Sequence, residues 1–233
     1  MPKLSVIVLS YNSENTVEKT LKSVLSQSYK DFELILVDQN SKDKTLEIAG
    51  KYKNSISKWI SEPCKSDYDA MNKGILLALG EYILFLNSGD TLANNDILEK
   101  ITSQFNNEDI ICGNINFDGK IKKVNYKKKY SLCNEKTYIS SEFIKRSFLE
   151  QLGGFDTRFK FLADYEFNLR SILKNKAELK YIDEKVSDIS KNEENFLNPK
   201  NARRYFKEKK VIQRAYFSQW QIFIYKILNI FFK

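Results

Sequence analysis

The chain has 233 residues, 42% of them hydrophobic and 29% charged, and its 38 Lys and Arg against 30 Asp and Glu give a formal charge of +8. That length supplies one large α/β domain, or a domain with an appendage, and the surplus of cations favours an anionic partner without choosing among nucleic acid, lipid and phosphorylated substrates. There is no histidine, which removes Ser-His-Asp and Cys-His nucleophile chemistry, HExxH zinc sites and C₂H₂ fingers and leaves a carboxylate as the natural general base.

Strand and helix patterns alternate from the start. LSVIVLS at 4 to 10 is a short apolar run, ENTVEKTLKSVLSQS carries Val17, Leu21, Val24 and Leu25 at helical spacing, and FELILVD at 32 to 38 is a second apolar run. The pattern predicts a helix from about Asp43, a short strand in ISKWI, a helix over DAMNKGILLAL, a strand in YILFL and a helix after residues 94 to 96. Strands apolar on both faces and separated by helices imply a largely parallel sheet covered on both sides. Past Phe117 the Lys/Tyr run KIKKVNYKKKY suits a hairpin or a loop, Gly153-Gly154 ends a helix near Leu152, and ADYEFNLRSILK begins another, with Glu166 and Arg170 as an exposed i,i+4 pair. No linker or repeat divides these pieces.

The cysteines Cys64, Cys112 and Cys133 form no CxxC pair, which fits a reducing cytoplasm. The first apolar run is too short for a signal peptide.

Ligands of open parallel sheets bind outside the carboxyl ends of the strands. Those ends carry Ser10-Tyr11-Asn12, Asp38 and Asn87-Ser88-Gly89-Asp90. An aromatic ring and two acids on one edge suit a nucleotide whose base lies near Tyr11 and Asp38, with Asp90 holding Mg²⁺ or Mn²⁺ against the phosphates. No GxGxxG occurs, and GNINFDGK does not complete a Walker A loop. Each acid has a structural alternative: Asp38 as a turn residue, Asp90 as a helix cap.

SVIVLSYN, LVDQNSKDKT, SEPCKSDYDAMNKGILLALGEYILFLNSGD and GGFDTRFKFLADYEFNLR, in that order, resemble family 2 of the inverting glycosyltransferases, which have the GT-A fold, and within it a bacterial subgroup that builds capsular, exopolysaccharide or lipopolysaccharide sugars. The resemblance spans about residues 3 to 185. It implies that Tyr11 and Asp38 contact the nucleoside of a nucleotide-sugar donor, UDP-linked by family habit, and that Asp90 is the metal-binding acid. It further implies that Asp164 is the catalytic base and that Asp69 and Lys73 are further substrate-binding candidates, whose alternative is a plain helix face. A hydroxyl of a glycan, lipid-linked in this subgroup, would be the acceptor, and the sugar's configuration would invert.

This sequence departs from the pattern at Gln39, where many members carry a second acid, and at Asn87 and Gly89, which leave Asp90 alone. Cys64, Ser66 and Asp67 stand where Asp, Gly and an apolar residue are expected, and Glu135-Lys136 replaces a His-Gln pair. The second reading is therefore a catalytically weakened relative that binds nucleotide sugar or glycan within an assembly complex.

Residues 1 to 190 are expected to form the catalytic domain, donor-binding to about 113 and acceptor-binding from 114, with 191 to 233 as a basic, aromatic extension. YFSQWQIFIYKILNIFF at 216 to 232 is short for a membrane span. As a single helix it gathers its polar residues on one side, which suits a helix lying on an anionic membrane surface. Packing on the catalytic domain or homo-oligomer formation is the alternative. The expected location is cytoplasmic, peripheral on the inner face of the cell membrane, and no nucleic-acid motif frames the Lys/Tyr run.

Overall fold

The computed structural model describes residues 1–123, 132, 138–190 and 199–224. Its sheet begins with a parallel run, β3 (Lys58–Ser61), β2 (Phe32–Asp38), β1 (Leu4–Ser10) and β4 (Tyr82–Asn87), in that spatial order. The intervening helices are α1 (Val17–Leu25), α2 (Thr45–Gly50) and α3 (Asp67–Leu77). Each strand splits its apolar residues between two cores, as a side-chain period of two requires. Ile7, Leu9, Ile35, Val37 and Phe85 join α3 on one face. Val6, Val8, Leu34, Leu36 and Leu84 join α1 on the other.

Beyond β4 the sheet turns mixed, which the sequence did not signal. β8 (Glu142–Lys145) runs antiparallel to β4 and to β6 (Ile110–Phe117), while β9 (Leu179–Ile189) is parallel to β6 and antiparallel to the short β5 (Thr91–Leu92). The hairpin expected after Phe117 begins as such: Asp118 and Gly119, with φ of 54° and 74°, turn β6 into β7 (Lys120–Lys122). The remainder of the Lys/Tyr run, Cys133 and the Glu135-Lys136 pair lie outside the described residues.

Two tight approaches fix the turn from α3 into β4. A Cβ on Gly80 would lie 2.4 Å from the Ser5 backbone nitrogen, so only glycine lets this turn rest on β1. Buried Glu33 then accepts from the Ser5 hydroxyl at 2.6 Å and from the Leu79 and Gly80 backbone N–H groups.

After α4 (Ile97–Thr102) and α5 (Arg146–Gln151), Gly153 and Gly154 break the chain with φ of 74° and 68°. Helix α6 (Ala163–Leu169) continues through a π-helical turn at Arg170–Lys174. Glu166 and Arg170 correct the sequence expectation of an exposed pair. Glu166 is 7% exposed and accepts from Arg170 and the Tyr216 hydroxyl, while Arg170 also donates to the carbonyls of Leu152 and Gly154. The pair is an internal tie between α6, the glycine turn and the C-terminal helix.

That helix, α7 (Pro199–Tyr216), packs through Ile212, and Phe217 just after it is also buried in the main core. The expected single helix over 216 to 232 is interrupted. Phe217 and Ser218 leave helical geometry, helix resumes at 219–224, and residues from 225 onward lie outside the described residues. Among the described residues no helix is long and apolar enough to cross a membrane.

Candidate active site

The parallel register sets Ser10 beside Asp38 and Leu9 beside Asn87. Strands β1, β2 and β4 therefore end on one edge, with Asp90 three residues beyond β4's last. Helix α3 follows the carboxyl end of β3, so its first turn opens on that edge too.

Asp38 is fully buried, and its carboxylate accepts four hydrogen bonds: from the Ser10 and Ser41 hydroxyls at 2.9 and 2.5 Å, from Ser61 Oγ at 2.7 Å and from the Ser41 backbone N–H at 2.9 Å. It ties together the ends of β1, β2 and β3. The following loop is held by Asn12, whose N–H donates to Ser41 Oγ and whose side-chain oxygen accepts from Lys42 N–H. Asn12 takes a left-handed φ of 45°, a conformation Asn tolerates, and the neighbouring Tyr11 ring is left 59% exposed at the lip of the edge.

Asp90 is 3% exposed. Its carboxylate accepts from Ser140 Oγ at 2.7 Å and from the Ser190 backbone N–H at 3.0 Å. Its turn is locked underneath, where Thr20 Oγ1 accepts from Gly89 N–H and donates to the Asp90 carbonyl, both at 2.8 Å. Gly89 takes φ 110°, which a side chain would resist. Among the described residues no three His, Cys, Asp or Glu side chains cluster as a ready-made metal cage. The set at Asp90, one carboxylate amid serine and threonine oxygens, fits a hard cation that takes its other ligands from diphosphate and water.

Asp164 lies in the first turn of α6 and is half-buried. Tyr68, in the first turn of α3, donates to it at 2.6 Å. Burial first, then the nearby Asp164 charge, push the Tyr68 phenol well above its ordinary range, so it stays a donor at neutral pH. Asn72, one turn further along α3, clasps Phe155 by accepting from its N–H at 2.9 Å and donating to its carbonyl at 2.8 Å. A Cβ on Gly154 would lie 2.5 Å from the Asn72 side-chain oxygen. Sequence reasoning missed Tyr68, Asn72 and Ser140; the first two lie inside the quoted DYDAMNKG segment.

Asp69 and Lys73 are spent on their own loop in this structure. Ser66 caps α3 by accepting from Asp69 N–H at 3.3 Å, and the Asp69 carboxylate accepts from Lys65 N–H at 2.9 Å. Together they fix the entry to α3, the cap from Ser66 and the second bond from the residue before it. Lys73 reaches the Pro63 carbonyl at 2.9 Å, Glu62 at 3.0 Å and Cys64 Sγ at 3.4 Å. The positions that depart from the expected motif also meet each other: Gln39 Nε2 donates to the Asp67 carboxylate at 2.8 Å.

The edge thus offers an exposed ring, a buried acid at a glycine turn suited to a cation, and a half-buried acid oriented by a phenol. Residues 5–165 match the family model described as Glycosyl transferase family 2. A protein of Mycobacterium tuberculosis named "PGL/p-HBAD biosynthesis glycosyltransferase" is 29% identical over 182 residues, covering 72% of this chain and 69% of that protein. Among solved structures, S. aureus TarS 1-349 in complex with UDP-GlcNAc superposes with a TM-score of 0.70 at 22% identity, over 81% of this chain and 58% of that one. The mannosyltransferase PcManGT from Pyrobaculum calidifontis, in complex with GDP-Man and Mn²⁺, does so with a TM-score of 0.63 at 18% identity, over 81% and 57%. This chain therefore spans less than two thirds of either solved structure, and at those identities the likeness establishes the fold.

Proposed function

Since this chain belongs to glycosyl transferase family 2 and is a glycosyltransferase of the GT-A fold, we propose that it moves one sugar from a nucleoside diphosphate sugar to a hydroxyl of a cell-surface glycan precursor, with inversion. The relative named for PGL/p-HBAD biosynthesis supports a surface-glycan setting, and the complex with UDP-GlcNAc supports a UDP-linked donor. The acceptor in this reading is lipid-linked.

The observation that carries the proposal is the Tyr68–Asp164 hydrogen bond. It joins an acid to the first turn of α3, at the edge where Asp38 and Asp90 also lie. In the proposed reaction Asp164 accepts the proton of the acceptor hydroxyl as that oxygen attacks the anomeric carbon. The bond from that carbon to the donor phosphate breaks, and its electron pair leaves with the nucleoside diphosphate. Tyr11 stacks on or borders the base from its exposed position. Asp38 acts as the floor of the nucleoside site by holding Ser10, Ser41 and Ser61. Asp69 and Lys73 shape the rim through the loop they hold.

Enzymes of this family and fold generally use a divalent cation. Here Asp90 would hold Mn²⁺ or Mg²⁺, which when bound neutralises the charge of the departing diphosphate.

The second reading, a weakened binding relative, draws on Asp38 and Asp90 both spending their carboxylates on protein donors. A thermal-shift screen of UDP, GDP, dTDP and CDP sugars with Mn²⁺ tests binding, since ligands of the native state raise its apparent stability. Nucleotide release from the donor that binds then tests chemistry. Release abolished by Asp164→Asn is the expected outcome; binding without release favours the weakened relative, and no shift with any donor overturns the transferase reading and the nucleotide-sugar form of the second.

A further inference from the structure

We propose that the outward face of α7, with the helical turn after it, docks on an anionic lipid surface while the inward face of the same helix holds the loop that leads to Asp164. The second half rests on the reading of Asp164 as the base; the first does not.

At 100° per residue, Arg203, Lys207, Lys210 and Arg214 fall within an arc of roughly 60°, and all four are exposed. None has a carboxylate partner among the described ion pairs. Phe206 and Val211 flank that stripe at 66% and 50% exposure, and past the break Trp220 and Phe223 stand 75% and 53% exposed. The opposite side of the helix is the buried one, with Glu208 and Ile212 at 7% and 1% exposure. Glu208 accepts from the backbone N–H groups of Lys160 and Phe161 at 3.0 and 2.9 Å, three residues before Asp164.

A cationic stripe bordered by exposed aromatic and aliphatic side chains is what an interfacial helix presents to acidic headgroups. A second copy of this chain fits the face poorly, because pairing it with itself would set four cations against four. Nucleic acid would satisfy the cations but offers no apolar layer for Phe206 and Val211. Docked in this way, the loop ahead of Asp164 lies about one helix diameter, roughly 10 Å, from the headgroups, within reach of a lipid-linked acceptor.

The test is sedimentation of the full chain with phosphatidylcholine vesicles, with and without phosphatidylglycerol. Pelleting only with the anionic vesicles, weakening as salt rises, is expected. Lys and Arg near such a surface each contribute about fivefold to partitioning, so Lys207→Glu, Lys210→Glu and Arg214→Glu together should lower it at least about a hundredfold with an unchanged melting temperature. A second variant, Trp220→Ser with Phe223→Ser, should weaken binding while keeping its salt dependence, because the cations remain. Docking is overturned by equal recovery with both vesicle types, by undiminished binding of the charge-reversed variant, by dimers that this variant dissolves, or by an oligonucleotide that binds the stripe more tightly than the vesicles do. Glu208→Gln should lower nucleotide release and leave vesicle binding intact; unchanged release would refute the coupling to the base loop. If vesicle binding fails while release stays sensitive to Asp164→Asn, the docking surface is wrong and the enzymatic reading stands.

Discussion

Tyr68 and Asp164, 96 positions apart in sequence, share a 2.6 Å hydrogen bond that joins the first turn of α3 to the first turn of α6. Tyr68 is 8% exposed, so its ring has little freedom to turn away, and the bond fixes which way the acid points. A hydrogen bond to a charged group contributes about 1.5–3 kcal/mol. Tyr68→Phe, which keeps the ring, should therefore lower kcat by about ten- to a hundredfold with donor KM little changed. An equal rise in KM would instead mark Tyr68 as part of the donor pocket.

Gln39 and Asp67 should behave as a coupled pair, since each departs from the expected motif and the two meet at 2.8 Å. Their contact is exposed, so a double-mutant cycle of Gln39→Ala and Asp67→Ala, read by thermal melting, should return a coupling of about 0.5–1 kcal/mol. Gln39→Asp would set two acids in contact and should cost more than Gln39→Ala. Strict additivity would show the contact to be incidental.

Glu166→Ala should destabilise the fold by about 3 kcal/mol, measured by urea denaturation, because it strips the carboxylate from a largely buried guanidinium and from the Tyr216 hydroxyl. A cost below about 0.5 kcal/mol is what an exposed i,i+4 pair would give, and would contradict the buried arrangement.

Alkaline pH should weaken the protein through Tyr82. Burial first, then the charges of Glu81, Glu108 and Asp109, push its phenol up to about 12, against about 10 in an unfolded chain. The folded state holds the proton longer, so this contribution is intact below pH 10. It declines by about 1.4 kcal/mol per pH unit as pH climbs toward 12. Tyr82→Phe should flatten that part of the stability curve, and an unchanged slope would exclude Tyr82 as its source.

Chelation with EDTA should abolish nucleotide release, with recovery on adding Mn²⁺ or Mg²⁺. Asp90→Asn should shift the cation concentration needed for half-maximal release upward by tenfold or more. Full activity in EDTA would remove the cation from the reaction.

The parallel half of the molecule was legible because each buried strand is a short, nearly unbroken apolar run, such as VIVL or LILV, followed by a polar strand end. Strands β8 and β9 were not, since EFIK and LKYIDEKVSDI carry charges throughout and owe their strand state to pairing with β6. At the candidate site, sequence order pointed to the acids, and the contacts around them required coordinates. Nothing local in VDQNS says that three serines from three segments converge on Asp38. The Gln39–Asp67 contact was equally hidden, because each residue read singly is only a departure from a pattern. Glu166 looked like a surface partner for Arg170 because the tyrosine that buries it comes 50 positions later.

The serine knot around Asp38 has a bearing on turnover. One bank of the crevice is cross-stitched by buried hydrogen bonds and has little room to yield. The stretch that leads away from it, Glu62 to Asp67, starts at the knot, where Glu62 N–H donates to the Asp38 carbonyl at 3.0 Å, and beyond that is held by Lys73, Asp69 and Gln39 through contacts that solvent can reach. In the proposed reaction spent nucleotide should therefore leave past that softer stretch, and the pace at which it yields would set an upper bound on the cycle.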